Sequence, residues 1–169
     1  LRRNNDARDV LDHLEKGLKE EIRKEKKRAA RKGELPGEIF GEVVLDGRRF
    51  VVSHNEEIAA QTKKTRVRKL KQAEAFIKRI VAKLNAQDEG ETFRGKKLTD
   101  QGALLKIHDY LRDRDLLRYT KASLTEQENK LTWEGNEKAR HWENRIDGKL
   151  ILETSDENLD ASEVVSRYK

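Results

Sequence analysis

Trp133 and Trp142 stand among Lys138, Arg140, Arg145 and Lys149 toward the end of the chain. Flat rings set between cations suit an unpaired base and its phosphates: the ring gives a stacking face and the cation neutralises charge. The plainer job for the same rings is packing. They are two of only nine aromatic side chains, and large aromatics dominate small cores. Both readings stay open for each tryptophan. Two further groups of cations, Lys24–Lys32 and Lys63–Lys71, are solvated helix faces or contacts to a phosphate backbone; the second use gives affinity without reading a base sequence.

Other chemistry is poorly represented. His13, His54, His108 and His141 are scattered, with no pair at the i, i+4 spacing of a helical metal site. Asp109, Asp113 and Asp115 alternate with Arg112 and Arg114, which is the pattern of surface salt bridges. There is no cysteine, hence no disulfide framework and no thiolate ligand. No phosphate loop, nucleophile elbow or zinc spacing occurs. No metal ligand set is expected within the chain.

The elements that would position these residues follow from spacing. Behind the N-cap types Asn4, Asn5 and Asp6, the residues Val10, Leu11, Leu14, Leu18 and Ile22 recur on one helical face. Gly33 and Pro36-Gly37 stop that helix. Ile39–Leu45 and Phe50–Val52 flank Asp46-Gly47, which predicts a hairpin with a tight primed turn. Asn55 caps a long helix with the stripe Ile58, Thr62, Val67, Leu70, Ala73, Ile77, Ile80, Leu84, and with Phe76 and Val81 beside it. Lys63, Lys64, Arg66, Arg68, Lys69 and Lys71 crowd its first half, and Gly90 ends it. Thr99 caps a third helix bearing Leu104, Leu105, Ile107 and Leu111. Strands are expected within Leu116–Leu124 and Lys130–Trp133, and a short helix within Gly135–Arg145. Asp147-Gly148 is a turn, and Leu150-Ile151-Leu152 begins a strand that ends near Thr154. Asp160 caps a last helix with Val164, Val165 and Tyr168.

The 169 residues carry 38 Lys plus Arg against 32 Asp plus Glu, and hydrophobic residues are only 34%. A supply that thin implies small cores and long helices with solvated outer faces. The net charge of +6 matters only if the fold gathers it on one surface. No apolar run approaches a membrane span and no signal peptide opens the chain, so a soluble protein is expected. The absence of any methionine suggests a piece of a longer parent. The fold class expected is α+β, with long basic helices around a small antiparallel sheet.

From Asp147 the chain reads Asp147-Gly148-Lys149-Leu150-Ile151-Leu152-Glu153-Thr154. After a polar turn it continues Asn158-Leu159-Asp160-Ala161-Ser162-Glu163-Val164-Val165-Ser166-Arg167-Tyr168-Lys169. This stretch resembles the IS4-like DDE transposases, and within them the IS1634-type group. In those proteins a strand D-G-x-x-x-L-x-T leads through a turn into L-[ST]-x-x-E-[IV]-[IV]-x-x-Y-[KR]. Asp160 stands where the family has a hydroxyl residue, and either type caps a helix. A weaker likeness runs through Arg48-Arg49-Phe50-Val51-Val52 to Asn55 and Ala59, and through Leu1-Arg2-Arg3-Asn4.

The resemblance implies an insertion domain of an RNase H-like transposase whose catalytic core is mostly absent. Residues 1–35 would be a helix leaving that core, 36–145 the insertion, and 146–169 the return strand with the start of the signature helix. In the family, three carboxylates hold two divalent ions, Mg²⁺ or Mn²⁺, for phosphoryl transfer. Tyr168 falls on the tyrosine of the signature Y-x₂-R-x₃-E-x₆-K, whose Glu would come seven residues later. The other two ligands would precede Leu1. The chain is therefore expected to hold no catalytic carboxylate and to contribute binding of double-stranded DNA at the transposon ends. The parent is expected to be a homodimer in the bacterial cytoplasm, on the nucleoid. The implied DNA-binding residues are Tyr168, Lys149, Leu150, Trp133, Trp142, Lys138, Arg140 and Arg145. Leu150 sits where one branch stacks a flipped base on an aromatic ring, and leucine offers no such face. Two other readings compete: a helical association scaffold using the Ile58–Leu84 seam, and a general nucleic-acid-binding module.

Overall fold

The computed structural model describes residues 4–92, 96–126, 128 and 130–169; the side chains of Asn4 and Asn5 are outside that description, as is the opening Leu1-Arg2-Arg3. The elements are helix α1 (Asn4–Lys32), strands β1 (Ile39–Leu45) and β2 (Arg48–His54), helices α2 (Glu56–Asp88) and α3 (Asp100–Arg112), strands β3 (Thr120–Leu124) and β4 (Leu131–Gly135), helix α4 (Glu137–Ile146), strand β5 (Lys149–Thr154) and helix α5 (Ala161–Tyr168). They form an α+β protein with two compact units. Residues 1–62 and 146–169 make the first, and residues 63–145 the second.

In the first unit the hairpin closes at Asp46 and Gly47, whose φ values of 50° and 72° are those of a primed two-residue turn. β2 runs through the middle of a three-stranded antiparallel sheet, ordered β1-β2-β5. This is the small antiparallel sheet expected from the Ile39–Val52 hairpin and the Leu150–Glu153 strand. Alternation sends Phe50 and Val52 to one face, and Val51 with its partner Leu152 to the other. α1 covers the first face, burying Val10, Leu11 and Leu18. It comes so close that a Cβ on Gly41 would meet Leu18 at 3.1 Å. α5 covers the second face, where Val164 and Val165 pack on Val51, Leu150 and Leu152. Asp160 caps α5 through a reciprocal capping box with Glu163.

The turn before β5 supports the start of α2. The Asn55 N–H donates to the Gly148 carbonyl at 2.8 Å, and the Asn55 side chain caps α2 by accepting from the Ile58 N–H. His54 lies beside this junction, buried, with Nε2 3.2 Å from a Glu56 carboxylate oxygen. Lys26 pairs with the other oxygen at 2.7 Å. Burial holds the His54 pKa below its ordinary value, reinforced by Lys149 and Lys26 and opposed by Glu56. The folded imidazole is therefore neutral, while the unfolded chain takes up its proton near pH 6.5. Folded stability should fall as pH drops below that point, down to the folded pKa. Urea midpoints measured from pH 7.5 to pH 5 should show the loss, and His54→Gln should flatten it. An unchanged slope in the variant would assign the pH dependence to other groups.

The second unit packs α2 and α3 around Ala73, Ile77, Ile107, Leu111, Leu116 and Tyr119. The β3–β4 hairpin lies against that core. α3 starts at Thr99, whose hydroxyl accepts from the Gly102 N–H. It ends without a glycine: Asp115 takes φ 57°, and the Leu116 N–H returns to the Leu111 carbonyl at 2.8 Å. This is the Schellman arrangement, with its apolar contact made by Leu116. Leu116 thus closes a helix rather than opening a strand, and β3 begins at Thr120, four residues later than the apolar run alone suggests. Along α2 the fully buried apolar residues start only at Ala73, with Leu70 partly buried on the same core; Ile58 and Val67 remain 54% and 42% exposed.

Candidate nucleic-acid interface

Charge divides unevenly between the units. Residues 63–145 contain 21 Lys plus Arg against 13 Asp plus Glu, a net +8; the remainder has 17 against 19, a net −2. The whole positive excess is therefore in the second unit. Within it, Lys63 to Gln87 of α2 carry nine basic residues and one acid, Glu74.

Helical spacing sorts those cations. Ala73, Ile77 and Leu84 point inward. The opposite face carries Lys64, Arg68, Lys71, Ala75, Lys78, Arg79 and Ala82, all exposed. From Lys64 to Arg79 the row is about 22 Å long at ~1.5 Å rise per residue. Among the described residues, Lys64, Arg68 and Lys71 have no ion-pair partner. Lys78 is held by Glu74 at 2.7 Å, and Arg79 lies over the Phe76 ring at 5.5 Å. Arg66 differs from its neighbours. It is buried and donates to the Asn144 side chain at 2.8 Å, tying α2 to α4. The basic run of α1 is a contrast: Lys24 pairs with Glu21, Arg28 with Glu25 and Lys26 with Glu56.

The residues implied by the resemblance are distributed over both units. In the second, Trp133 is half-buried on the Ile77 and Leu111 core. Trp142 lies half-buried on α4 with the Arg145 guanidinium 5.6 Å from its ring, and Lys138 shares that side of the helix by spacing. Arg140 turns the other way and pairs with Glu137 at 2.8 Å. In the first unit, Lys149 and Leu150 take opposite faces of β5. Lys149 is half-buried, and desolvation lowers its pKa despite Glu15, Asp147 and Glu56 nearby. Leu150 packs on the Val51 cluster. Tyr168 is two-thirds exposed. The structure thus joins Trp142, Arg145 and Lys138 on α4, and packs Trp133 and Leu150 into cores. Lys78 and Arg79, missed at the sequence level, complete the α2 row; the signal was a 64, 68, 71, 75, 78–79, 82 spacing with no large apolar residue.

No family model, curated protein or solved structure matches this chain.

Among the described residues no three His, Asp or Glu side chains form a group able to hold a metal ion. No described helix is long and apolar enough to cross a membrane.

Proposed function

We propose that this chain binds double-stranded DNA by phosphate contacts along the outward face of α2, as the DNA-contacting part of an IS4-like DDE transposase. The observation that carries DNA binding is the row of exposed cations on α2, four of them without a carboxylate partner among the described residues, in a unit of net +8. A surface serving only solubility would interleave its signs, as α1 does. Phosphate contacts of this kind position a protein on the duplex and carry no sequence information of their own. The α4 group of Lys138, Trp142 and Arg145 is the candidate for contacts beyond the backbone. The transposase reading itself rests on the resemblance at residues 147–169. In it the parent performs cut-and-paste transposition by two-metal phosphoryl transfer, and these residues supply grip rather than chemistry.

The scaffold reading has less support. The inward side chains of the supposed seam, Ala73, Ile77 and Leu84, are already consumed by the second unit's own cores.

Binding to a labelled duplex across a salt series tests the proposal. Four contacts, Lys64, Arg68, Lys71 and Arg79, give a log–log slope near −3.6, or about a 150-fold loss of affinity between ~50 and ~200 mM salt. Absence of binding at ~50 mM salt refutes it. The transposase assignment has its own test in the encoding gene: the family pattern requires Glu seven positions after Tyr168 and Lys seven after that.

A further inference from the structure

β5 is an edge strand, and its sequence is complementary to itself. The Asn55 N–H to Gly148 carbonyl bond fixes the phase of the β2–β5 ladder. Bonded pairs recur every second residue, so Leu150, Leu152 and Thr154 turn their backbone groups toward β2. Lys149, Ile151 and Glu153 turn theirs outward. The hairpin agrees: its tight turn makes Leu45–Arg48 a bonded pair, so β2 uses even-numbered residues for β1 and odd-numbered ones for β5. No third strand flanks β5 among the described residues. Within the first unit, α1 makes its main strand contacts with β1, and α5 with β2 and β1.

We infer that two copies of this chain pair antiparallel through β5, with Ile151 on the two-fold axis. In that register Ile151 faces Ile151 of the other copy, and Lys149 faces Glu153 in both halves of the contact. On the opposite face Leu150 meets Leu152, again twice. The three outward residues of each strand exchange all their N–H and C=O groups, so the contact closes six backbone hydrogen bonds. Centring the pair on Leu152 would set Glu153 against Ile151 and leave the lysines unmatched; centring on Glu153 would oppose like charges. An edge strand is a template for another strand, and the Lys-Leu-Ile-Leu-Glu pattern selects a second copy in this one register as the occupant. The inference does not depend on DNA binding, because no α2 cation takes part.

Sedimentation equilibrium of the 169-residue chain at ~0.5 M salt without DNA should show a monomer–dimer equilibrium. Glu153→Lys places like charges opposite at two points and should weaken the dimer about tenfold or more. Ile151→Pro removes an outward donor while leaving the bonds to β2, and should abolish the dimer with thermal unfolding still cooperative. The chain has no cysteine, so a spin label at Ser155→Cys is unique. The two labels are eight residues apart along the paired strands, or about 27 Å at ~3.4 Å per residue. A monomer at all concentrations overturns the inference, as does a label distance far from that value or a dimer indifferent to both substitutions.

Discussion

Replacing Lys64, Arg68 and Lys71 together by glutamine should make the salt dependence of duplex binding shallower by about three units of log–log slope, and weaken binding at ~50 mM salt more than about 100-fold. These three side chains are exposed, lie on the face away from the core and have no described ion-pair partner. Their removal therefore takes away the proposed phosphate contacts without opening a cavity or orphaning a carboxylate, and thermal stability should be unchanged within about 0.5 kcal/mol. Glutamine keeps helix propensity and length, so lost charge is the only large change. The matched control is Lys19, Lys24 and Arg28 to glutamine in α1, where carboxylate partners already neutralise much of the charge. That set should move the slope much less. Equal loss from the two triple variants would mean that binding follows total charge rather than the α2 row.

Gly148→Ala should destabilise the first unit by roughly 3–5 kcal/mol, a large part of a typical domain's stability. Gly148 has φ +67°, and a Cβ there would lie 2.3 Å from the Asn55 carbonyl oxygen, 2.6 Å from the Ala59 Cβ and 2.8 Å from the Ala59 nitrogen. Two of those atoms are backbone in the first turn of α2 and cannot rotate away. Gly47→Ala separates strain from collision. Its φ of +72° is similar, yet nothing lies within 4 Å of the added carbon, so only the left-handed penalty of about 1–2 kcal/mol remains. Urea unfolding of both variants reads the difference, and hydrogen exchange should locate the damage of Gly148→Ala at β5 and the start of α2. Equal costs at the two sites would show that the junction relaxes.

The elements of the first unit were legible because their signals are local. Asp46-Gly47 announces its turn, Asp160 with Glu163 its helix cap, and Asn55 the start of α2. What escaped depends on approach between distant residues. Asp147-Gly148 reads as a turn, but nothing near it in sequence reveals that α2 passes within van der Waals reach. Leu116-Leu117 reads as the start of a strand, because a Schellman stop with Asp115 in place of glycine leaves no compositional mark. The stripe on α2 was placed correctly from Leu70 onward and wrongly at Ile58, Thr62 and Val67, where the apolar period continues but the side chains stay exposed. For the interface, the Lys63–Lys71 cluster was visible, but which of its members face water was not. Arg66 has the same side chain as Arg68, yet is buried against Asn144 two residues away along the helix. Trp133 and Trp142 divide in the same way, one resting on a core and one beside Arg145.

The Arg66–Asn144 bond also bears on the order of assembly. Neighbouring strands β2 and β5 are separated in sequence by the whole second unit, and closing so long a loop of flexible chain is entropically costly. Residues 66 and 144 lie close to the two points where the chain enters and leaves that unit, so their bond brings entrance and exit together. Once residues 63–145 have collapsed, the ends to be joined are already neighbours, and the sheet can form as if across a short connection. Pulse-labelled hydrogen exchange during refolding should then protect the amides of residues 63–145 before those of β5, and simultaneous protection would refute that order.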